Sequence, residues 1–410
     1  MSSARFSKTL SPLTRIPLVW DWAKEYDGKY GPNIDLCQGA PRDPPAKVLL
    51  DAIADASSDP TNSKYGPILG NQDLREALAK EMKVPYGDAT DVTADDIAIC
   101  SGANLAFYAV MMAVVDQGEE VILPIPWYFS HQMSLKMQGI KVVELPLDQE
   151  NAFLPSVDLC ESLITARTKA IALVTPNNPT GSVYSSELIR AFARLAQRHS
   201  VALIIDETYR DFILDGRPPH DLFNNPSSSD ESDDWKWRDN FIHIFSFSKS
   251  YAVPGYRLGA IVAGPDAIEQ INTVLDCIQI CPSGAIQSAL SSLLPTLRPL
   301  ITSTAQQLDE RHKLFRSIMP SNWIIGSSGG YFAFVKHPFE RKGSAEICQK
   351  LAAMVGVLLL PGTFASPGDD PNKHDPYGRW IRFAVGNVEE ETLKLIGDRL
   401  RLFERIWTIQ

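Results

Sequence analysis

Between residues 48 and 300 the chain repeatedly sets a short, mostly apolar run beside a helical pattern, and that alternation constrains the fold more than any other feature. The runs are Ile97-Ala98-Ile99-Cys100, Ala170 to Val174, Val201 to Ile205, Phe241 to Phe245, and Arg257 to Ala263. Runs without a polar residue at every second position suit strands covered on both faces. Strands separated by helical stretches suit a mostly parallel sheet with helices on either side. The expected class is therefore α/β, with a large domain over residues 48–300. After Leu300 the pattern changes to a long helix through Arg316, a strand from Tyr331 to Val335, two short strands and a closing helix. That predicts a smaller α+β domain over residues 301–410, completed by residues 1–47, which read as an arm and a linker rich in proline at Pro41, Pro44 and Pro45. A chain of 410 residues suits one large domain with a smaller companion.

Chemistry-bearing residues gather where these runs end. Ser246-Phe247-Ser248-Lys249 follows one run, and Gly255 and Arg257 precede the next, so Lys249 lies on a connection between two buried strands. A hydroxyl residue shortly before a lysine, followed by Gly-x-Arg, suggests an amine that meets a phosphate-bearing aldehyde, although Lys249 alone reads as a solvated charge. Asp206 ends the run Ile204-Ile205 and would project into the crevice where open α/β sheets bind ligands. Taken singly, it serves as readily as a helix N-cap. Thr175-Pro176-Asn177-Asn178-Pro179-Thr180-Gly181 is a loop stiffened by two prolines, and Asn178 offers it a donor and an acceptor. An ordinary strand-to-helix turn would look similar. Ser101-Gly102-Ala103-Asn104 opens an apolar helix that runs to Val115, and its small residues leave backbone N–H groups open to an anion.

With these four segments in this order, the chain resembles the class I/II aminotransferases, pyridoxal-phosphate enzymes of the aspartate aminotransferase superfamily (fold type I). The likeness runs from about Gly39 to Arg382. It implies that Lys249 forms a Schiff base with pyridoxal 5'-phosphate and that Asp206 pairs with the ring nitrogen. Tyr209 and Asn178 would hydrogen-bond the phenolic oxygen, and Tyr128, in Pro126-Trp127-Tyr128, would stack on the ring. Gly102, Ala103 and Asn104 match the phosphate loop, with Ser246 and Arg257 as its hydroxyl and guanidinium partners. Arg382, in Trp380-Ile381-Arg382-Phe383, matches the arginine that grips the substrate α-carboxylate, and Gly39 a residue bordering the substrate. Tyr65 matches a tyrosine that reaches the phosphate of a neighbouring subunit, which implies a homodimer with shared sites.

Two departures bear on the reaction. Thr175 stands where many relatives have asparagine, and Pro254 precedes Gly255 as it does in relatives that decarboxylate or cyclise amino acids. The resemblance implies transamination between an α-amino acid and a 2-oxo acid, with a lyase, decarboxylase or cyclase on the same fold as the alternative. The residues expected at the substrate, near Ile16, Gly39 and Tyr128, include no arginine placed for a distal carboxylate, which favours neutral or aromatic amino acids.

Charge and cysteine usage exclude other classes. A formal net charge of -10 argues against nucleic acid as a partner. The six cysteines are scattered, and the seven histidines form no ligand cluster, so reduced thiols and no metal are expected. No run is apolar enough to span a membrane. Residues 1–20 carry Arg5, Lys8 and Arg15 and no acid, a composition shared with mitochondrial presequences. They are read here as a structural arm, and the expected location is the cytoplasm. Asn224 to Asp234 is acidic and of low complexity, and reads as a solvated loop.

Overall fold

A computed structural model describes residues 15–213, 215–224, 235–367 and 375–408. Most of the expected arm and the acidic stretch, apart from Asn224, lie outside them. The apolar runs form a seven-stranded sheet from Ile97–Cys100 (β1), Glu120–Ile125 (β2), Lys141–Pro146 (β3), Thr168–Val174 (β4), Ala202–Asp206 (β5), Phe241–Ser246 (β6) and Gly259–Val262 (β7). Their spatial order is β1-β7-β6-β5-β4-β2-β3, and only β7 runs against the rest. The sheet is thus mostly parallel, as the run pattern predicts. Side chains alternate between two cores. Ile97, Ile99, Ile171, Leu173, Leu203 and Ile205 pack on one face. Ala98, Cys100, Ala170, Ala172, Ile204 and Ile244 pack on the other. Both faces are covered by helices, so the strands have no solvated side and need no polar alternation.

Register decides where the chemistry goes. Val174 pairs with Asp206 and Asp206 with Ile244, while Gly259 sits between Cys100 and Ser246. The carboxyl ends of β1, β4, β5 and β6 therefore share one edge with the amino end of β7. The segments after Cys100, Val174, Asp206 and Ser246 and the segment before Gly259 all open onto that edge.

A second sheet, antiparallel throughout, is built from Ile324–Gly329 (β8), Phe332–Lys336 (β9), Leu360–Pro361 (β10) and Trp380–Ala384 (β11), in the order β10-β11-β9-β8. It has its own core around Phe315, Phe383, Leu393 and Phe403. Ile34 and Asp35 pair in parallel with Val357 and Leu358, so the N-terminal segment joins the C-terminal one. Arg382 sits on β11 opposite Phe334 and Leu360.

Four details differ from the sequence pattern. The long helix expected after Leu300 begins at Gly284 and runs to Ile318. Pro295 and Pro299 lie inside it, and a proline in a helix interior looks like a break when only local propensity is read. The pattern also missed β8, whose Gly326, Ser327, Ser328 and Gly329 carry little strand signal. Past β9 it missed the helix Ser344–Val355, and three short strand segments stand where two are expected. Among the described residues no helix is long and apolar enough to cross a membrane.

Candidate active site

The shared edge of the large sheet and strand β11 enclose a cavity of about 320 Å3. Of the site residues expected from sequence, all but Gly102 and Tyr65 line it. Lys249 lies in the short helix Phe247–Ser250 that follows β6, and its Nζ donates a hydrogen bond to the Gly39 carbonyl oxygen. Burial, then the positive charges of Arg382 and Arg257, bring its amine down from the ordinary 10.5 to about 8, while Asp206 acts in the opposite sense.

Asp206 closes β5 and is 4% exposed. Its Oδ1 accepts the Thr208 N–H at 2.9 Å, and His131 Nε2 lies 3.1 Å from its Oδ2. Burial alone would raise the carboxyl's pKa. His131, through its hydrogen bond and charge, and Thr208 outweigh that effect and hold the pKa below the usual carboxylate value. His131 itself is clamped, with its ring stacked on Phe107 at 3.8 Å and Tyr128 meeting it edge-on at 5.1 Å. Sequence reading overlooked His131. Its only local signal is its place one helical turn after Tyr128, on the helix Phe129–Met137.

Arg382 is buried, and its guanidinium is oriented by two acceptors: Nη1 donates to Asn178 Oδ1 at 2.8 Å and Nη2 to the Cys37 carbonyl. Its Cζ sits 4.6 Å from the Phe332 ring centroid, and Nε has no hydrogen-bond partner. Burial pulls its pKa down, against the pull of Tyr209 and Cys37. Tyr209, also buried, is pushed well above its ordinary value, first by desolvation and then by Tyr128. A side chain at Gly39 would strike the Phe332 ring and come within 3.4 Å of the Tyr209 hydroxyl, so glycine keeps this wall open.

The strand order puts a cationic, N–H-rich corner at the β1, β7 and β6 end. The helix Ala103–Val114 starts there, and its first N–H groups have no earlier carbonyl to bond. Gly102 caps it at φ +90°, and any Cβ there would collide with the Arg257 guanidinium. Arg257, at φ +53°, donates from Nη1 to the Pro254 carbonyl at 2.9 Å. The Ser246 hydroxyl, buried nearby, accepts the Ser248 N–H at 3.2 Å. Tyr128 donates its hydroxyl hydrogen to Asn104 Oδ1 at 3.2 Å. Pro254 lines the same cavity, whereas Tyr65 stands outside it and is 82% exposed on the single chain.

Such an arrangement can hold an anion at one corner and a protonated ring nitrogen at a buried carboxylate. It also presents a largely desolvated amine and a guanidinium to a carboxylate-bearing molecule. Comparisons with known proteins agree with the geometry. The family model described as aminotransferase class I and II matches residues 32–400. The chain is similar to the aromatic aminotransferase ISS1 of Arabidopsis thaliana, 25% identical over 379 residues that cover 90% of this chain and 89% of the relative. It is also similar to the transaminase BacF of Bacillus subtilis, 27% identical over 95% of this chain and 93% of that one. The solved substrate-bound structure of BacF superposes with a TM-score of 0.84 at 23% identity, over 97% of both chains.

Proposed function

The chain belongs to the class I and II aminotransferases and is a transaminase, and from that premise we propose how its own residues carry the transfer of an amino group from an α-amino acid to a 2-oxo acid. Our reading of the cofactor is pyridoxal 5'-phosphate. The donor set fits it: a buried carboxylate for a ring nitrogen, an aromatic face at Tyr128, an amine, and a corner where Gly102 makes room for the Arg257 guanidinium beside the first N–H groups of a helix. When bound, this group supplies an aldehyde that reacts with amines and a conjugated ring that takes up the electron pair released at Cα.

Asp206 would hold a proton on the ring nitrogen, and His131 and Thr208 keep its carboxylate charged for that task. Tyr209 and Asn178 would hydrogen-bond the phenolic oxygen. The N–H groups of Ala103 and Asn104, the Ser246 hydroxyl and Arg257 would receive the phosphate. Lys249 would anchor the cofactor and serve as the base that moves the proton at the substrate Cα. An amine near pH 8 suits both roles, since a useful fraction is uncharged at neutral pH. Arg382 grips the α-carboxylate with two parallel hydrogen bonds, which aligns the Cα–H bond with the lysine. The observation that carries this reading is the meeting of Lys249, Asp206 and Arg382 in one cavity, with the lysine's pKa drawn down.

Among the described residues the lining holds no cation apart from Lys249, Arg257 and Arg382, and Ile16, Phe129, Phe332 and Pro254 give it apolar walls, which supports neutral or aromatic amino acids as donors. The exposure of Tyr65 supports a homodimer in which it serves the partner's phosphate. We take residues 48–300 as the cofactor-binding domain and the flanking segments as the smaller one, and six unpaired cysteines favour the cytoplasm.

The test is a panel of amino acids assayed with 2-oxoglutarate or pyruvate, quantifying both products. Equal yields of a new 2-oxo acid and a new amino acid are expected, and Lys249→Ala should abolish them. Release of CO2 or of a γ-substituent without amino transfer would overturn the reaction assignment. Strong preference for aspartate would overturn the substrate class alone, and a fully active monomer in sedimentation would overturn the shared sites.

A further inference from the structure

Lys249 is a wall between two cavities. On its far side, away from Asp206, lies a second space of about 410 Å3, bounded by the segment Pro41 to Ala46, by Ser250 to Ala252 and by the helix Gly284–Ile318. Its deep wall carries Arg311 and Tyr331, which are 3% and 2% exposed. Arg311 is poorly satisfied for a buried guanidinium. Its contacts are the Gly386 carbonyl at 3.5 Å, Gln307 Oε1 at 3.5 Å and Asp43 Oδ2 at 3.8 Å. These are at or beyond the outer limit of hydrogen bonding.

Two other buried arginines are held more closely: Arg399 Nη2 donates to the Tyr30 carbonyl at 2.7 Å and Arg382 Nη1 to Asn178 Oδ1 at 2.8 Å, whereas the Arg210 guanidinium has no hydrogen-bond partner and stacks 3.8 Å over Phe245. A buried cation lacking such partners carries a desolvation cost that a bound anion would offset. Burial, and next the charge of Arg42, pull Arg311 below its ordinary pKa, as expected of a guanidinium short of counter-charge.

The charges around the cavity define what would fit. Arg42 already pairs with Asp43 at 2.8 Å and approaches Glu389 at 3.6 Å, which leaves Arg311 with more capacity to spare than Arg42. One such cation beside an acid at 3.8 Å suits a single negative charge better than a phosphate dianion. Leu297, Leu300, Ile301 and Leu308 line the rest of the space and suit a hydrocarbon tail.

We propose that this cavity is a second carboxylate site, taking a small monocarboxylate with an apolar tail. Arg311 and the Tyr331 hydroxyl hold the carboxylate, and the leucine and isoleucine side chains of the long helix cover the tail. The site is separate from the one assigned to Arg382.

Calorimetric titration of the cofactor-loaded protein with 3-phenylpropionate tests this, since the compound has neither an amino nor an oxo group to react. The parent should bind two equivalents per chain, and Arg382→Ala one. In the Arg382→Ala background, Arg311→Met should weaken the remaining binding more than tenfold. Tyr331→Phe, which keeps the ring's volume, should weaken it by about tenfold, the usual worth of a hydrogen bond to a charged group. If Arg311→Met fails to fold, Tyr331→Phe decides. A single equivalent in the parent, no binding to Arg382→Ala, or binding to Arg382→Ala that Tyr331→Phe leaves unchanged would each overturn the proposal.

Discussion

Lys249 should behave as an amine with a pKa near 8 in the cofactor-free protein, and this can be tested without turning the enzyme over. Desolvation is the main cause of the depression, followed by the Arg382 and Arg257 charges. A fall from 10.5 to about 8 raises the uncharged fraction at pH 7 by about 300-fold. Only the uncharged amine attacks an acylating reagent, so brief treatment with acetic anhydride across pH 6–11, with peptide mass spectrometry at Lys249, reads that fraction directly. A lysine model peptide in the same tube supplies the ordinary titration. The Lys249 profile should rise through about pH 8, more than two pH units before the peptide. Arg382→Gln should move its midpoint up, because the largest depressing charge is gone, and Asp206→Asn should move it down. The same depression affects stability. Between pH 8 and 10.5 the native chain binds fewer protons at this site than the unfolded chain, so stability rises with pH across that window. Below it the full cost is present, at most about 3 kcal/mol, and less where water in the cavity screens the charge. A Lys249 midpoint above pH 10, or shifts opposite in sign for the two variants, would refute the reasoning.

Three further outcomes are expected. Asp206→Asn should fold and bind cofactor but lose on the order of 100-fold or more in kcat, with KM little changed, because the ring nitrogen is no longer held protonated; a kcat within threefold of the parent would remove Asp206 from that role. Gly102→Ala places a side chain at φ +90° against the Arg257 guanidinium. It should cost about 1–2 kcal/mol of backbone strain and weaken cofactor affinity at least tenfold by equilibrium dialysis, and unchanged affinity would mean that this corner does not receive the phosphate. Asp211→Asn removes the carboxylate that accepts from Arg298 Nη1 and from the Ser250 hydroxyl, both at 2.6 Å. It should destabilise the chain by about 3 kcal/mol, visible as a lower Tm in scanning calorimetry; a shift under 1 °C would show that the Glu81–Arg298–Asp211 cluster is not a brace.

Much of this protein is legible in its sequence because its strongest signals are local. A strand buried on both faces must be a continuous apolar run, so β1, β4, β5 and β6 appear in the sequence to within a residue or two. Residues just after such runs must emerge at the carboxyl edge of a parallel sheet, and Ala103, Asn178, Asp206 and Lys249, which the family resemblance groups together, all line one cavity there. The long helix was legible only in part, since Pro295 and Pro299 resemble a break until its partners are seen to hold it.

What no local reading supplies is partnership at long range. His131 acts on Asp206, the Gly39 carbonyl on Lys249, and Asn178 and Cys37 on Arg382, each from a distant segment. The second cavity behind Lys249 needs the segment Pro41 to Ala46 and the helix at Arg311 to meet. Sequence by itself determined five of the large sheet's seven strands and which residues follow them in the chain. Tertiary structure alone decided how each is charged and aimed. A pKa depends on burial and on charges within a few ångströms, and those distances exist only once separate segments have packed against one another.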